Sequence, residues 1–291
     1  MKPARAAWLF LAPALLVLGV FFLLPVLGAL GLSFTDYDLY ALADLHRLRF
    51  VALGNYWALL HRPAFWAALG HTFYFVAVGV PLSLAASLGA ALLLASPLAR
   101  CRAFFRTALF APVVTTAVAM AVVWRYLFNT QYGWANHVLG AIGIHPVDWL
   151  GDPHWAMPTI ILFAVWKNFG YNMIILLAGL QAIPRELYEA ARLDGASAWR
   201  QFRHISLPLL GPTLLMVTIL TVSGYFQLFA EPYVMTEGGP LESTTSVLYL
   251  MYEDGFKWWN LGTAAAEAFL LFLVMFAATL ALLRWPRRSG A

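Results

Sequence analysis

Six long runs of apolar residues alternate with shorter polar segments along this chain. They lie near 8–32, 68–94, 107–128, 156–180, 208–230 and 261–283. Each reaches the length of about 20 residues that a helix needs to cross hydrocarbon. Inside lipid a helix satisfies its own backbone donors and acceptors, and an open sheet cannot. The pattern therefore predicts an all-α integral membrane protein with six transmembrane helices, residues 1–291 forming a single transmembrane domain. The apolar part of the first run, Trp8 to Leu32, far exceeds the roughly 7–15-residue core of a cleavable signal, so it is read as a retained helix. Pro13 and Pro25 are expected to bend it.

The polar segment between the fourth and fifth runs, 184–207, has a finer pattern. Pro184 suits a helix start, and Glu186 and Glu189 fall in early turns, where the helix dipole favours acids. Leu187, Ala190, Ala191 and Leu193 give a compact apolar side. Asp194 and then Gly195 follow where a helix needs a left-handed terminating residue. Ser197 is a cap for a second short helix, in which Trp199, Phe202 and Ile205 recur at three-residue spacing. Pro208 is expected to open the fifth transmembrane helix. An amphipathic linker lying on a membrane would explain the arginines and aromatics. It would not explain a Glu-Ala-Ala helix closed by glycine and followed by Ile205-Ser206-Leu207-Pro208.

Composition agrees with the runs. Of the 291 residues, 62% are hydrophobic and 11% charged, with a mean hydropathy of +0.74, more apolar surface than a soluble domain could hide. One set of segments carries Lys2, Arg5, Arg100, Arg102, Arg106, Arg185, Arg192, Arg200, Arg203, Arg284, Arg287 and Arg288. The opposite loops carry only Arg47, Arg49, Arg62 and Lys257. The positive-inside rule then places both termini and the hairpin in the cytoplasm. The net charge of +4 follows from that topology and requires no nucleic-acid partner. Trp8, Trp124, Trp155, Trp258, Trp259 and Trp285 fall near the expected interfaces.

Polar residues inside the runs are the candidates for a solute pathway, since ionic groups in hydrocarbon are costly. Asn168 and Asn172 share a helix face at i, i+4, with Tyr171 beside them and Lys167 adjacent. Amides and an aromatic platform suit the hydroxyls and apolar ring face of a sugar. Interhelical bonding and outward snorkelling of Lys167 are the plainer alternatives. Ser223, Gln227 and Glu231 form a second line at i, i+4, i+8. Arg125 reads as structural. Glu267, in the sixth run, could bind solute, pair with a cation on a neighbouring helix, or sit protonated at an interface between subunits.

Other chemistry finds no footing. The seven histidines form neither H-E-x-x-H nor a Cys/His cluster, so no metal and no cofactor is implied. The three lysines precede Pro3, Asn168 and Trp258, and none completes a phosphate-binding loop. Cys101 is the only cysteine. An intramembrane protease would need a buried Ser/His pair, and none is evident; Gly195-Ala196-Ser197-Ala198 lies in an arginine-flanked loop. A secondary transporter of a small polar solute would need internal charged relays, at which only Glu267 and Lys167 hint.

The hairpin pattern resembles the cytoplasmic coupling loop of the permease subunits of type I ABC importers. The likeness extends over nearly the whole chain. Asn55-Tyr56, Phe65 to Leu69 and Thr72 resemble the start of helix two of the sugar-type members, and Arg106 to Asn129 their third helix. Gly133 and Asn136, then Trp166, Gly170, Asn172 and Ile183-Pro184, then Tyr233, Thr236 and Gly238-Gly239-Pro240 resemble later segments. His71, where Asn is expected, and Glu267 depart from the pattern. The short segment 33–66 favours a six-helix layout without a large external insertion.

The resemblance implies the first of two non-identical permeases of a carbohydrate importer in the bacterial inner membrane. Its implied partners are a second permease, two ATPase subunits, an extracytoplasmic solute-binding protein, a sugar or polyol substrate, and membrane lipid. It further implies that helix one wraps the partner permease. ATPase coupling would rest on Glu189, Ala190, Ala191, Asp194, Gly195, Trp199, Phe202, Ile205 and Pro208. The solute pathway would draw on Asn168, Tyr171, Asn172, Ser223, Gln227 and Glu267. No residue is catalytic on this reading.

Overall fold

The computed structural model describes residues 3–44, 48–96 and 99–284. Lys2, Arg47, Trp285, Arg287 and Arg288 lie outside them. Among the described residues the structure is helical, with one isolated antiparallel bridge between Thr35 and Phe50. Contacts gather the chain into two units, Met1–Trp66 with Leu250–Val274, and Ala67–Tyr249 with Met275–Ala291.

The first unit begins with α1 (Pro3–Leu18), a π-turn at Gly19–Leu23 and α2 (Leu24–Ser33), which run on as one apolar span from Phe10 to Ser33. Pro25 has no N–H and crowds the carbonyl four residues earlier. The π-turn two residues before it loosens the ladder there, with the Leu24 N–H donating to the Gly19 carbonyl. The short helices α3 (Leu39–Ala43) and α4 (Gly54–Leu60) follow. Asn55 ties α4 to the end of α2, its amide donating to the carbonyls of Ser33 (2.9 Å) and Thr35 (2.8 Å). The Tyr56 hydroxyl bonds Ser33 Oγ at 2.8 Å. The resemblance to helix-two starts therefore rests on residues that staple this corner.

Among the described residues, four helices are long and apolar enough to cross a membrane unbroken. They are Phe10–Ser33, α5 (Pro63–Ala95), α9 (Pro153–Gln181) and α16 (Leu261–Arg284). The third and fifth expected spans are not single helices. The third splits into α6 (Arg102–Val114) and α7 (Ala117–Leu127), bent by 99°. Thr115 and Thr116 are extended at the break. The Thr115 hydroxyl donates to the Pro112 carbonyl, while Thr116 caps α7 by accepting from the Ala119 N–H. Those side chains supply bonds that a continuous ladder would otherwise provide, so a β-branched pair after a proline stops the helix.

The chain then passes through α8 (Trp134–Ala141) to α9. Asn136 organises this connection. Its amide donates to the Thr130 and Val147 carbonyls, and its oxygen accepts from the Val147 N–H and the Trp149 indole. Gly170 of α9 lets that helix lie on α6, since a Cβ there would run into the Leu109 carbonyl oxygen. After α10 (Arg185–Leu193) and α11 (Ala198–Gln201), a second π-turn at Phe202–Ser206 leads into α12 (Leu207–Leu209).

The fifth expected span, 208–230, is thus helical in pieces. Pro208 sits before a 68° bend, and the straight part, α13 (Gly211–Tyr225), starts at Gly211 with Pro212 in its first turn. The helix ends at Tyr225, before α14 (Ala230–Met235). With four continuous spans and two bent pairs, the count is six only if each bent pair is one span. The segment after α14 turns at Gly238-Gly239-Pro240 and buries Thr244, Thr245 and Ser246 before α15 (Val247–Tyr252). Here His71 Nδ1 pairs with the Thr245 carbonyl at 3.1 Å, and Thr72 Oγ1 accepts from the Val247 N–H. The unusual histidine is a loop anchor.

Candidate coupling hairpin and solute cavity

The helix α10 ends by local rules alone. Gly195 has φ +75°, and a Cβ on it would meet nothing within 4 Å, so the glycine is required by its backbone conformation and not by crowding. The Ala196 N–H donates to the Ala191 carbonyl at 2.8 Å, and the Gly195 N–H to the Arg192 carbonyl at 3.0 Å. This pair of bonds is the Schellman arrangement. Ser197 then caps α11, its hydroxyl accepting from the Arg200 N–H, and Gln201 reaches back to the Ala196 carbonyl at 2.9 Å.

One bond closes the hairpin on itself, and packing fixes it to the helices behind. The Tyr188 hydroxyl bonds Ser206 Oγ at 2.9 Å. Tyr188 and Ile205 pack on a core that includes Ala91, Met173, Leu176, Leu210 and Val217. Arg185, Tyr188, Glu189 and Arg192, at i, i+3, i+4 and i+7, line a cavity of about 870 Å³ behind α10. The other side of the hairpin offers Leu187, Ala190 and Leu193, the last 91% exposed. Trp199 is also exposed, with its ring 5.4 Å from that of Phe202. Glu189 therefore shares a face with the arginines, while the bare apolar face belongs to leucines.

A second cavity, of about 550 Å³, lies among α9, α13 and the chain between α13 and α14. It brings together Asn168, Tyr171, Asn172 and Gln227, four of the residues expected to face solute. Ser223 and Glu267 are not among its walls. Ending α13 at Tyr225 dissolves the expected i, i+4, i+8 line: Gln227 and Glu231 reach the cavity, and Ser223 offers only its carbonyl to the Gln227 amide. Asn172, which is buried, donates to Thr221 Oγ1 at 2.8 Å. Asn168 donates to the Ala164 carbonyl at 3.0 Å, leaving its oxygen free to accept. Phe75, Tyr225 and Phe229 supply aromatic surface. Sequence reasoning missed Thr221 and Tyr225; their i, i+4 spacing was the available signal, hidden inside an apolar run.

The remaining charged candidates have structural partners. Lys167, buried, donates to the Val113 carbonyl at 3.2 Å, at the C-terminal end of α6 where cations are favoured. Glu231, in the first turn of α14, is held above the ordinary carboxylate range by burial, against the downward pull of Lys167. Arg125 donates to the Val234 carbonyl and stands 3.7 Å from Glu237. In the first unit Glu267 is fully buried, 3.8 Å from Arg62, which also pairs with Asp254.

The profile of the family described as "Binding-protein-dependent transport system inner membrane component" matches residues 51–288. The lactose transport system permease protein LacF of Rhizobium radiobacter is 39% identical over 274 residues, covering 93% of this chain and 90% of that protein. The trehalose/maltose transport system permease protein MalF of Thermococcus litoralis is 35% identical over 296 residues, covering 98% and 95%. A crystal structure of a bacterial alginate ABC transporter, in complex with a periplasmic protein bound to an alginate pentasaccharide, contains a chain of like fold. Its TM-score is 0.81 at 20% identity, over 99% of this chain and 96% of that one. A profile match over most of the chain and two end-to-end relatives leave one assignment: this all-helical chain belongs to the family of binding-protein-dependent transport system inner membrane components.

Proposed function

We propose that the chain is half of the membrane pathway of an ATP-driven importer for a sugar or related polyol. A second permease forms the other half, and an extracytoplasmic binding protein delivers the solute. Two ATPase subunits in the cytoplasm hold the hairpins, one on each permease. The lysine and arginine asymmetry supports cytoplasmic termini and a cytoplasmic hairpin. The apolar window of the Phe10–Ser33 span contains no buried residue, which suits a helix that lies against lipid or a partner permease.

One observation carries this reading: a short helix, closed by Gly195 and tied to the core through Tyr188 and Ser206, presents Leu187, Leu193 and Trp199 outward. Docked in an ATPase cleft, such a lever passes motion to α9 and α13 through the core behind it. A swing of a 1:99 equilibrium to 99:1 needs about 5.5 kcal/mol of differential binding, so the lever must be stiff. Lys167 donates to a helix-end carbonyl and Glu267 stands 3.8 Å from Arg62, which favours the importer over an ion-driven relay. The cavity beside Asn168 and Asn172 is the proposed solute site, and its volume lies within the about 300–1,000 Å³ usual for small-molecule pockets.

The test is ATP hydrolysis by the complex of this chain, its sister permease and the ATPase in proteoliposomes, with and without binding protein, over a panel of sugars and polyols. Stimulation by one loaded binding protein is the expected result. A chain that assembles with no ATPase would overturn the proposal.

A further inference from the structure

We infer that the solute cavity admits neutral hydroxylated solutes and rejects anionic ones such as phosphate esters, with Glu231 as the residue that enforces the charge rule. The inference rests on the reading of this cavity as the solute site.

The walls of the cavity hold neutral hydrogen-bonding groups and one ionisable carboxyl. Asn168, Asn172 and Gln227 contribute amides, Tyr171 and Thr221 contribute hydroxyls, and Glu231 contributes the acid. No lysine, arginine or histidine is among the described residues that line it. The cation that sequence places closest, Lys167, is not itself a wall residue; its ammonium donates to the carbonyl of Val113, which is one, at 3.2 Å, and so is already engaged by the protein. A phosphate or sulfonate entering here would leave water without a cationic side chain in the wall to bond it, beside an acid whose own counter-charge is the already engaged Lys167. With its proton on, Glu231 still supplies no positive charge; with its proton off, it repels. A neutral sugar meets the opposite situation, since its hydroxyls can donate to a carboxylate and to amide oxygens and accept from amide N–H groups.

The experiment reads the cavity without its binding protein, so that the selectivity belongs to the membrane unit. The permease pair with its ATPase is placed in nanodiscs and examined by saturation-transfer NMR. The probes are matched: trehalose against trehalose 6-phosphate, and glycerol against glycerol 3-phosphate. The neutral member of a pair is expected to show saturation transfer, and its phosphate to compete at least about 100-fold more weakly, as like charges brought together cost several kcal/mol. Glu231→Lys is expected to shrink that ratio by about tenfold, through the one added counter-charge. A phosphate ester that competes as well as its parent overturns the charge rule and leaves the importer standing. Absence of transfer from every neutral probe, in discs that still hydrolyse ATP, overturns the cavity as the solute site and the charge rule with it.

Discussion

The hairpin and the solute cavity belong to the same unit, yet they are specified in different ways. The hairpin is written in adjacent residues: the bonds that close it span five residues or fewer, from Ala191 to Ala196 and from Ala196 to Gln201. The cavity is assembled from residues far apart, as in the bond from Asn172 to Thr221 across 49 positions. Local rules fix an exposed lever, and packing fixes a buried site. Breaking the first should disconnect the machine without unfolding it. Breaking the second should change what the machine handles.

The largest expected effect is at Gly195. Gly195→Val forces a β-branched residue to φ +75°, a conformation that costs about 1–3 kcal/mol. Uptake in proteoliposomes should fall at least about fivefold, the kinetic equivalent of the lower end of that cost, while membrane insertion measured by protease protection stays intact. Gly195→Asn, which tolerates the left-handed region, should retain most activity. Near-normal uptake by the valine variant would remove the turn from the coupling argument.

Next in size is Asn172→Leu, which removes a buried bond to Thr221 and a polar group of the cavity wall. A rise of about tenfold in KM for uptake, with ATPase assembly unchanged, is expected from the loss of a hydrogen bond worth about 1 kcal/mol and its desolvated partner. An unchanged KM would exclude Asn172 from solute contact. Leu193→Ser sharpens the comparison from the hairpin side. The apolar face of α10 should lose affinity for the ATPase by a few-fold, read in co-purification, with no change in the thermal midpoint of the free permease. Glu189→Gln should weaken docking less than Leu193→Ser, because Glu189 sits on the arginine-lined face.

The smallest functional effects should come from the charged residues that left the pathway. Lys167→Met forfeits a bond to Val113 and the favourable end of α6, worth about 1 kcal/mol, so the thermal midpoint should drop by a few degrees with KM unmoved. Glu267→Gln should leave uptake within about twofold, since no solute group meets it, whereas Arg62→Ala strands two buried carboxyls and should cost about 3–5 kcal/mol. Loss of transport in Glu267→Gln with a normal midpoint would restore Glu267 to the pathway.

These outcomes track what was legible in the sequence. The helix closed at Gly195, the cap at Ser197 and the amide face of α9 follow from periodicity and turn chemistry, which operate within a few residues. The bend in the fifth run and its helix end at Tyr225 were not legible because an apolar run carries no mark of where a helix bends inside it. The break in the third was hidden because Thr115 and Thr116 look apolar enough for a span while their hydroxyls take over backbone bonds. Glu267 could not be placed at all, since the arginine and aspartate beside it lie 192 positions from one another.

The π-turn before Pro208 has a consequence for insertion and deletion. It holds one residue more than the regular winding on either side, with the Leu207 N–H reaching back five positions to the Phe202 carbonyl. Each residue of an α-helix advances the direction of its side chains by about 100°. Removing one residue from 202–206 would restore the regular pitch and swing the hairpin's faces by that angle relative to α13. Tyr188 would lose Ser206, and the leucines now turned outward would face a different direction. The surplus residue is a phase setting: it fixes the compass bearing at which the lever leaves the bundle, and a stretch that scans as one uninterrupted helix in fact holds two faces out of step by design of a single count.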